Sequence, residues 1–174
     1  RAELGRIRAL QLEGATRSLA LYRTLGKPRR IVSSLIQVSR LRSMKGQLAE
    51  AHAALDEARS LIRADWPAEF RILMLRREGS LARDAGRLTE ALSLYRDALH
   101  ASAAAGDWRL EVIARTALVD LLWETGPIEE AAREAVAFAE DLRVRPAAEN
   151  DMDVMFCNLI GILSEAGRVD EASA

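Results

Sequence analysis

Cysteine, histidine, proline and long apolar runs are scarce in this sequence. A single cysteine among 174 residues excludes an internal disulfide framework and a metal site built from several thiolates. The two histidines, His52 and His100, lie far apart, with no carboxylate or cysteine pattern that would complete a metal site. No apolar run approaches the roughly 18–20 residues that span a bilayer, and no signal-peptide pattern opens the chain. We therefore expect a cytoplasmic protein that makes no membrane contact and holds no metal.

The residues that are abundant favour helices. Ala, Leu, Arg and Glu, which are among the best helix formers, dominate the composition, and runs of β-branched residues are absent. Hydrophobic residues make up 49% and charged residues 29%, a balance typical of a folded rather than a disordered chain. The composition therefore predicts an all-α protein.

Charge is distributed unevenly along the chain. The formal net charge is −1, which by itself indicates no class of partner. Residues 1–46, however, hold 11 basic and 2 acidic side chains, whereas residues 47–174 hold 14 and 24. The two segments therefore carry net charges of +9 and −10. Self-association through oppositely charged ends of two copies is one expected consequence.

A short motif recurs with a period of about 40 residues. It reads Gly, any residue, an aliphatic residue, any residue, Glu and Ala, and it begins at Gly46, Gly86, Gly126 and Gly167. A weaker copy begins at Gly5. Further helix breakers fall midway, at Gly26, Pro67, Gly106 and Pro146. The segments between successive breakers have the length of a helix.

Apolar residues within these segments follow the helical period. After Gly86, for example, Leu88, Leu92, Tyr95 and Leu99 would lie on one face of a helix. Short glycine turns make neighbouring helices antiparallel. A compact bundle would not need the same motif at a fixed period, so we favour an α-solenoid. Eight helices are predicted, near residues 6–25, 28–45, 47–64, 67–85, 87–105, 107–125, 127–144 and 149–166.

The repeated residues resemble those of a tetratricopeptide repeat (TPR) array. In residues 72–105 the family's small, turn and packing positions are held by Gly79, Gly86, Ala91, Tyr95 and Ala98. The matching positions of other units are Gly46, Ala51, Gly126, Ala131 and Gly167. The resemblance implies a right-handed superhelix of antiparallel helix pairs over one domain, residues 1–174. Its units would lie near 6–45, 47–85, 87–125 and 127–166, with a stub at 168–174.

The length of the repeat indicates which group of TPR proteins the chain resembles. Repeats of about 40 rather than 34 residues resemble those of bacterial signalling proteins and of large maltose-activator-type transcriptional regulators. In such proteins the array is a sensor or docking segment, and the other domains lie elsewhere in a longer chain. The resemblance therefore implies that these residues are a fragment of a longer protein.

No catalytic grouping is recognisable in the sequence. A phosphate-binding loop, a Gly-x-Ser-x-Gly motif and a His-Glu-x-x-His motif are all absent. The lone Cys157 lies in an apolar segment, where a small packing residue is more common than a nucleophile. Adjacent carboxylates such as Glu129 and Glu130 point in different directions on a helix. We therefore expect no enzymatic activity and no cofactor.

The TPR resemblance implies that the first helix of each pair lines a concave groove. Arginine suits the bidentate capture of carboxylates, and an exposed tryptophan is a typical anchor, so we expect a protein or peptide partner, with an acidic one among the candidates. The alternative is that the arginines pair with neighbouring acids such as Glu78 and Asp84. The residues predicted to face the partner are Arg40, Arg76, Arg77, Arg83, Asp120, Trp123 and Asn158.

Three functions remain open from the sequence. The leading hypothesis is a non-catalytic protein- or peptide-binding scaffold, or sensor segment, of a bacterial transcriptional or signalling regulator. The first alternative is a small-molecule effector sensor with its ligand held near Trp123 and Arg83. The second is nucleic-acid contact through residues 1–46, although that segment lacks a recognised motif and interleaved aromatic residues.

Overall fold

Seven α-helices make up the described part of the chain, which in this computed structural model comprises residues 2–125, 128–145 and 167. No strand occurs among those residues, so the all-α prediction is confirmed. The predicted helix 149–166, the stub 168–174, and Gly126 and Asn158 lie outside the described residues. The helices are α1 (Ala2–Thr24), α2 (Pro28–Ser43), α3 (Leu48–Leu61), α4 (Ala68–Asp84), α5 (Leu88–Ala105), α6 (Trp108–Thr125) and α7 (Ile128–Val144).

Glycines in the left-handed conformation end four of these helices. Gly86 has a φ of +75°, a value that the Cβ of any other residue makes unfavourable. At this turn the Gly86 N–H donates to the carbonyl of Arg83, and the Arg87 N–H donates to the carbonyl of Ala82. This closure satisfies carbonyl groups that the end of the helix leaves unpaired. The other glycines with positive φ are Gly26, Gly46, Gly106 and Gly167.

Gly5 does not form the turn that its sequence context predicts. Helix α1 begins at Ala2 and passes without interruption through both Gly5 and Gly14. Neither glycine has a positive φ, so nothing at these positions ends the helix. Glu3 in the first turn is favourably placed at the positive end of the helix dipole. The weak copy of the motif at Gly5 therefore does not end a helix.

The chain divides into two compact units, Arg1–Ala91 and Leu92–Ala174. The core of the first unit includes Leu19 of α1, Leu35 of α2, Leu55 of α3 and Leu81 of α4, all buried. Helix α2 packs against α1, α3 and α4. Small residues allow the close packing of these helices, and they include Ser39, Ala51, Ala58, Gly79 and Ala82, all buried.

The second unit has a core of its own. Tyr95 of α5, Leu110 and Leu121 of α6, and Phe138 and Leu142 of α7 are each almost completely buried. Alanines at the positions that the repeat predicts are buried as well: Ala98 and Ala131 here, and Ala91 at the end of the first unit. None of the helices in the described residues is long and apolar enough to cross a membrane.

Candidate functional site

One face of α2 is exposed, basic and free of acidic residues. The sequence of α2 contains four arginines and no Asp or Glu. Its opposite face is apolar and buried, which fixes the rotation of the helix about its axis. The exposed residues recur at helical spacing and form what we call the α2 stripe, which consists of Arg30, Ser33, Gln37, Arg40 and Met44.

Arg40 makes only neutral contacts along the α2 stripe. Its Nε donates a hydrogen bond to Oε1 of Gln37 at 3.3 Å, and its Nη1 lies 3.8 Å from Sδ of Met44. Within residues 2–125 and 128–145, no carboxylate forms an ion pair with Arg40 or Arg30. Both positive charges are therefore available at the surface for an anionic partner.

Two pockets adjoin the first half of the α2 stripe and share Arg30 and Ser33. The first lies between α1 and α2, has a volume of about 290 Å³, and is lined by Ala15, Ser18, Tyr22, Arg30, Ser33, Ser34 and Gln37. The second lies between α2 and α4 and has a volume of about 400 Å³. Its lining residues are Arg29, Arg30, Ser33, Pro67, Glu69, Phe70 and Leu73.

The second pocket combines an apolar wall with charged side chains of both signs, Arg29, Arg30 and Glu69. Phe70 packs edge-on against the buried Trp66, with ring centroids 5.0 Å apart and planes at 60°. The Arg29 guanidinium lies 5.6 Å from the centre of the Trp66 ring, a cation–π arrangement. Because Trp66 is buried in the core, this contact holds Arg29 at the rim. Trp66 thus packs the turn between α3 and α4.

Arg77 lies between helices and not on an open surface. Its side chain is only 7% exposed. Its Nε and Nη2 lie 3.4 Å from Oγ and from the carbonyl oxygen of Ser39, respectively, and donate hydrogen bonds to them. Arg77 is therefore part of the α2–α4 contact, which corrects the expectation that it faces a groove. Arg76 and Arg83 are half-buried on the same helix, and each interacts with another group of the protein.

The acids suggested by sequence as partners of these arginines have partners on other helices. Glu78 accepts a hydrogen bond from Nη2 of Arg59 at 2.6 Å, which joins α3 to α4. This hydrogen bond raises the pKa of the Arg59 guanidinium above its ordinary value, against the opposing effect of burial. Asp84 accepts a hydrogen bond from the hydroxyl of Ser43, which joins α2 to α4. Both acids therefore stabilise helix packing in the first unit.

The remaining predicted site residues belong to the second unit. Asp120 and Trp123 lie three residues apart on α6, and both are half-buried. On the same helix Arg115 pairs with Asp141 of α7, and its guanidinium lies 5.4 Å from the centre of the Phe138 ring. No group of three or more His, Cys, Asp or Glu residues in the described ranges is arranged to hold a metal ion.

Sequence reasoning missed most of the residues that line the two pockets, among them Arg29, Arg30 and Phe70. The signal for Arg30 is present in the sequence, because it lies three residues before Ser33 and thus on the same helical face. The positions of Arg29 and Phe70 depend on packing against Trp66, which helical periodicity does not describe.

No protein-family model and no curated protein matches the chain, but solved structures do. BtubC (BKLC) from P. vanneervenii superposes with a TM-score of 0.54 at 17% identity, over 95% of this chain and 87% of its own. A putative kinesin light chain from Podosopora anserina, with nearly identical TPR-like repeats, gives 0.65 at 16% identity, over 93% and 80%. A variant of that protein gives 0.66. The fold is TPR-like.

The TPR-like fold explains why the second pocket forms where it does. Ser39 of α2 and Gly79 of α4 are 40 residues apart, occupy the same position in successive repeats, and are both buried. Helices α2 and α4 are therefore equivalent helices of neighbouring TPR-like repeats. Because a small residue is buried at the same position of each, the two helices pack closely, and the second pocket opens at their N-terminal ends.

Proposed function

We propose that this chain is a non-catalytic scaffold that binds an acidic peptide segment of a partner protein along the α2 stripe. The observation that carries the proposal is an exposed helical face with two arginines, Arg30 and Arg40, that pair with no carboxylate among the described residues. Arginine binds carboxylates in a planar, bidentate geometry that lysine lacks. An extended acidic segment following α2 would meet Arg30 and Arg40 in turn.

The two pockets beside the α2 stripe would add apolar contacts to the ion pairs that Arg30 and Arg40 form with the peptide. The pocket between α2 and α4 would accept an apolar side chain against Phe70 and Leu73, next to the acidic residue bound by Arg30. Arg29 is held at its rim by Trp66, so less conformational entropy is lost there on binding. The preferred segment therefore alternates acidic with bulky apolar side chains.

We further propose that this scaffold serves as a docking or sensor segment of a cytoplasmic bacterial signalling or transcriptional regulator. The support for this context is the 40-residue repeat, which resembles the long repeats of such proteins. A partner held by arginines would be released as ionic strength rises, because exposed charges are screened over about 8–10 Å at physiological salt.

Binding to a fluorescein-labelled peptide that alternates Glu and Leu, followed by fluorescence anisotropy, tests the proposal. The reference probe is the same peptide with Gln in place of Glu. We expect the acidic peptide to bind at least about tenfold more tightly, and the double variant Arg30→Gln/Arg40→Gln to lose about tenfold in affinity.

A matched control removes the same charge elsewhere on the first unit. Arg63 and Arg87 are exposed and pair with Asp65 and Glu90 close by in the sequence, and neither belongs to the α2 stripe or lines its two pockets. The variant Arg63→Gln/Arg87→Gln should bind the acidic peptide like the unmodified chain. Equal losses in the two double variants would mean that only overall charge matters and would contradict a site on α2.

The same assay distinguishes the two other candidate functions. Double-stranded DNA added as a competitor should displace the acidic peptide only if the arginines of α2 also bind phosphates. A metabolite that raises the melting temperature of the chain without displacing the peptide would indicate a separate effector site.

A further inference from the structure

Three basic side chains surround another pocket of the first unit, between the end of α1 and the start of α4. We call it the Lys27 pocket; its volume is about 240 Å³, and it is lined by Lys27, Pro28, Arg29, Arg30 and Trp66. None of the described residues that line it is acidic. The three basic residues are exposed, and within the described ranges neither Lys27 nor Arg30 forms an ion pair. The pocket is therefore a cationic site at the surface.

The surrounding chain fixes the positions of Lys27 and Arg29. The Lys27 N–H donates a hydrogen bond to the carbonyl of Tyr22 at 3.1 Å, and the following Pro28 restricts the backbone conformation of Lys27. The Arg29 guanidinium lies over the ring of the buried Trp66. An anion that enters the pocket would therefore meet charges that are largely in place, and less conformational entropy would be lost on binding.

The TPR-like repeat does not account for this basic cluster. The equivalent positions of the next repeat, 40 residues further along, hold Pro67, Glu69 and Phe70. The same turn therefore packs in the next repeat without three basic residues. Three positive charges so close together repel one another, which makes the folded state less favourable. An anion bound between them would remove this repulsion and stabilise the first unit.

A phosphoryl group matches three cations better than a carboxylate does. A phosphorylated side chain carries about −1.5 to −2 charges at pH 7 and three strong acceptor oxygens, whereas a carboxylate carries one charge on two oxygens. Arginine binds phosphoryl oxygens in bidentate geometry, and lysine binds them as a point charge. The second pocket is a poorer place for a dianion, because Glu69 lines it. The charges thus favour a phosphoryl group in the Lys27 pocket.

We propose that the Lys27 pocket binds a phosphorylated serine or threonine side chain of the partner's acidic segment. This inference rests on the proposed function, because the segment that follows the α2 stripe reaches the pocket at Arg30, which belongs to both. Arg40 lies about 15 Å from Arg30 along the helix, a distance that about five extended residues span. The phosphorylated residue therefore stands at one end of the bound segment, and its phosphorylation strengthens binding.

Three isomeric peptides test where the phosphoryl group binds. Each alternates Glu and Leu, is capped at both ends, and carries one phosphoserine at its start, its middle or its end, so that all three have the same charge. By isothermal titration calorimetry, one of the terminal isomers should bind about tenfold more tightly than the middle isomer and the unphosphorylated peptide. Equal affinities for the three isomers would mean that phosphoserine adds only net charge, and would overturn the proposal.

The two lysines of the sequence, Lys27 and Lys45, provide a matched pair of variants. Lys45 is exposed in the turn after α2 and does not line the Lys27 pocket. The affinity ratio between the tighter terminal isomer and the unphosphorylated peptide should fall from about ten to below about three in Lys27→Gln. It should stay near ten in Lys45→Gln. Equal ratios in the two variants would overturn the proposal.

Acetylation of the same two lysines gives a readout that does not depend on affinity. The chain is treated with an amine-acetylating reagent at a saturating concentration of the terminal isomer, and mass spectrometry after proteolysis measures each lysine. We expect acetylation of Lys27 to be slowed severalfold and that of Lys45 to be unchanged. Equal rates at Lys27 with and without the peptide would contradict contact between the phosphoryl group and this side chain.

The unphosphorylated peptide separates this inference from the proposed function. If it binds along the α2 stripe and no phosphorylated isomer binds more tightly, the Lys27 pocket is overturned and the scaffold proposal stands. If it does not bind, whereas one terminal isomer binds and protects Lys27 from acetylation, the pocket stands and the α2 stripe is overturned as a binding surface.

Discussion

The turn glycines show how a single residue determines where a helix ends. Gly86 adopts a φ of +75°, and a Cβ added there would meet no atom within 4 Å, so the constraint is on backbone conformation and not on space. An alanine would be held in the left-handed region at a cost of about 1–2 kcal/mol. We expect Gly86→Ala to lower the free energy of unfolding by that amount, as measured by urea denaturation.

Gly5→Ala is the control for this substitution. Gly5 lies within α1, has no positive φ, and an added Cβ would also meet no atom within 4 Å. Alanine is the better helix former, so Gly5→Ala should leave the stability unchanged or raise it slightly. A similar loss of stability in both variants would contradict the assignment of Gly86 as the residue that ends α4.

At the residue scale, the sequence predicts the helical face on which a residue lies better than it predicts the solvent exposure of the side chain. The TPR resemblance puts Arg40 on the groove face of α2, and Arg40 is exposed. The same reasoning puts Arg77 on the groove face of α4, yet it is buried against Ser39. The difference arises because a long side chain can reach back between helices, and periodicity carries no information about that choice.

The contact between α2 and α4 depends on Ser39 and Arg77, residues from two different helices. The Ser39 hydroxyl accepts a hydrogen bond from Arg77 in a buried environment. We expect Ser39→Ala to lower the free energy of unfolding by about 1 kcal/mol, since a hydrogen bond to a buried charged group is lost. Thermal and urea denaturation would measure the change.

Ser33 provides a matched serine on the same helix. It is exposed, and its hydroxyl donates to the carbonyl of Arg29 within α2. Ser33→Ala should therefore change the stability by less than about 0.5 kcal/mol. If Ser33→Ala were as destabilising as Ser39→Ala, the link between α2 and α4 would not explain the effect.

At the element scale, most helix boundaries could be predicted from the sequence. The predicted helices near 28–45 and 87–105 correspond to Pro28–Ser43 and Leu88–Ala105, because a proline or a glycine turn marks each boundary. The start of α1 could not be predicted in this way. Gly5 looks like a turn glycine in sequence, but the adjacent residues continue the helix and no left-handed residue interrupts it.

On the scale of the whole molecule, the net charge of −1 conceals two oppositely charged units. Residues 92–174 hold 7 basic and 16 acidic side chains, a net charge of −9, against +8 for residues 1–91. We expect the chain to be retained by both cation and anion exchangers at pH 7 in about 50 mM salt. The salt concentration at elution from each resin measures this.

Variants at the α2 stripe check which unit binds the cation exchanger. Arg30→Gln/Arg40→Gln should elute from the cation exchanger at lower salt, with little change on the anion exchanger. If the unmodified chain passed through the cation exchanger without retention, its net charge and not the charge of each unit would determine its binding to the resin.

The boundary between the units could not be predicted from the sequence, because it falls inside the continuous helix α5, where the sequence shows no breaker.

The short turns also bear on how the chain acquires its structure. Helices α1 and α2, α2 and α3, and, in the second unit, α6 and α7 pack against each other and are neighbours in sequence. Little loop-closure entropy is lost in joining such neighbours, and topologies rich in local contacts fold fast. Each hairpin of helices can therefore form soon after its second member leaves the ribosome, before the residues that follow it have been synthesised.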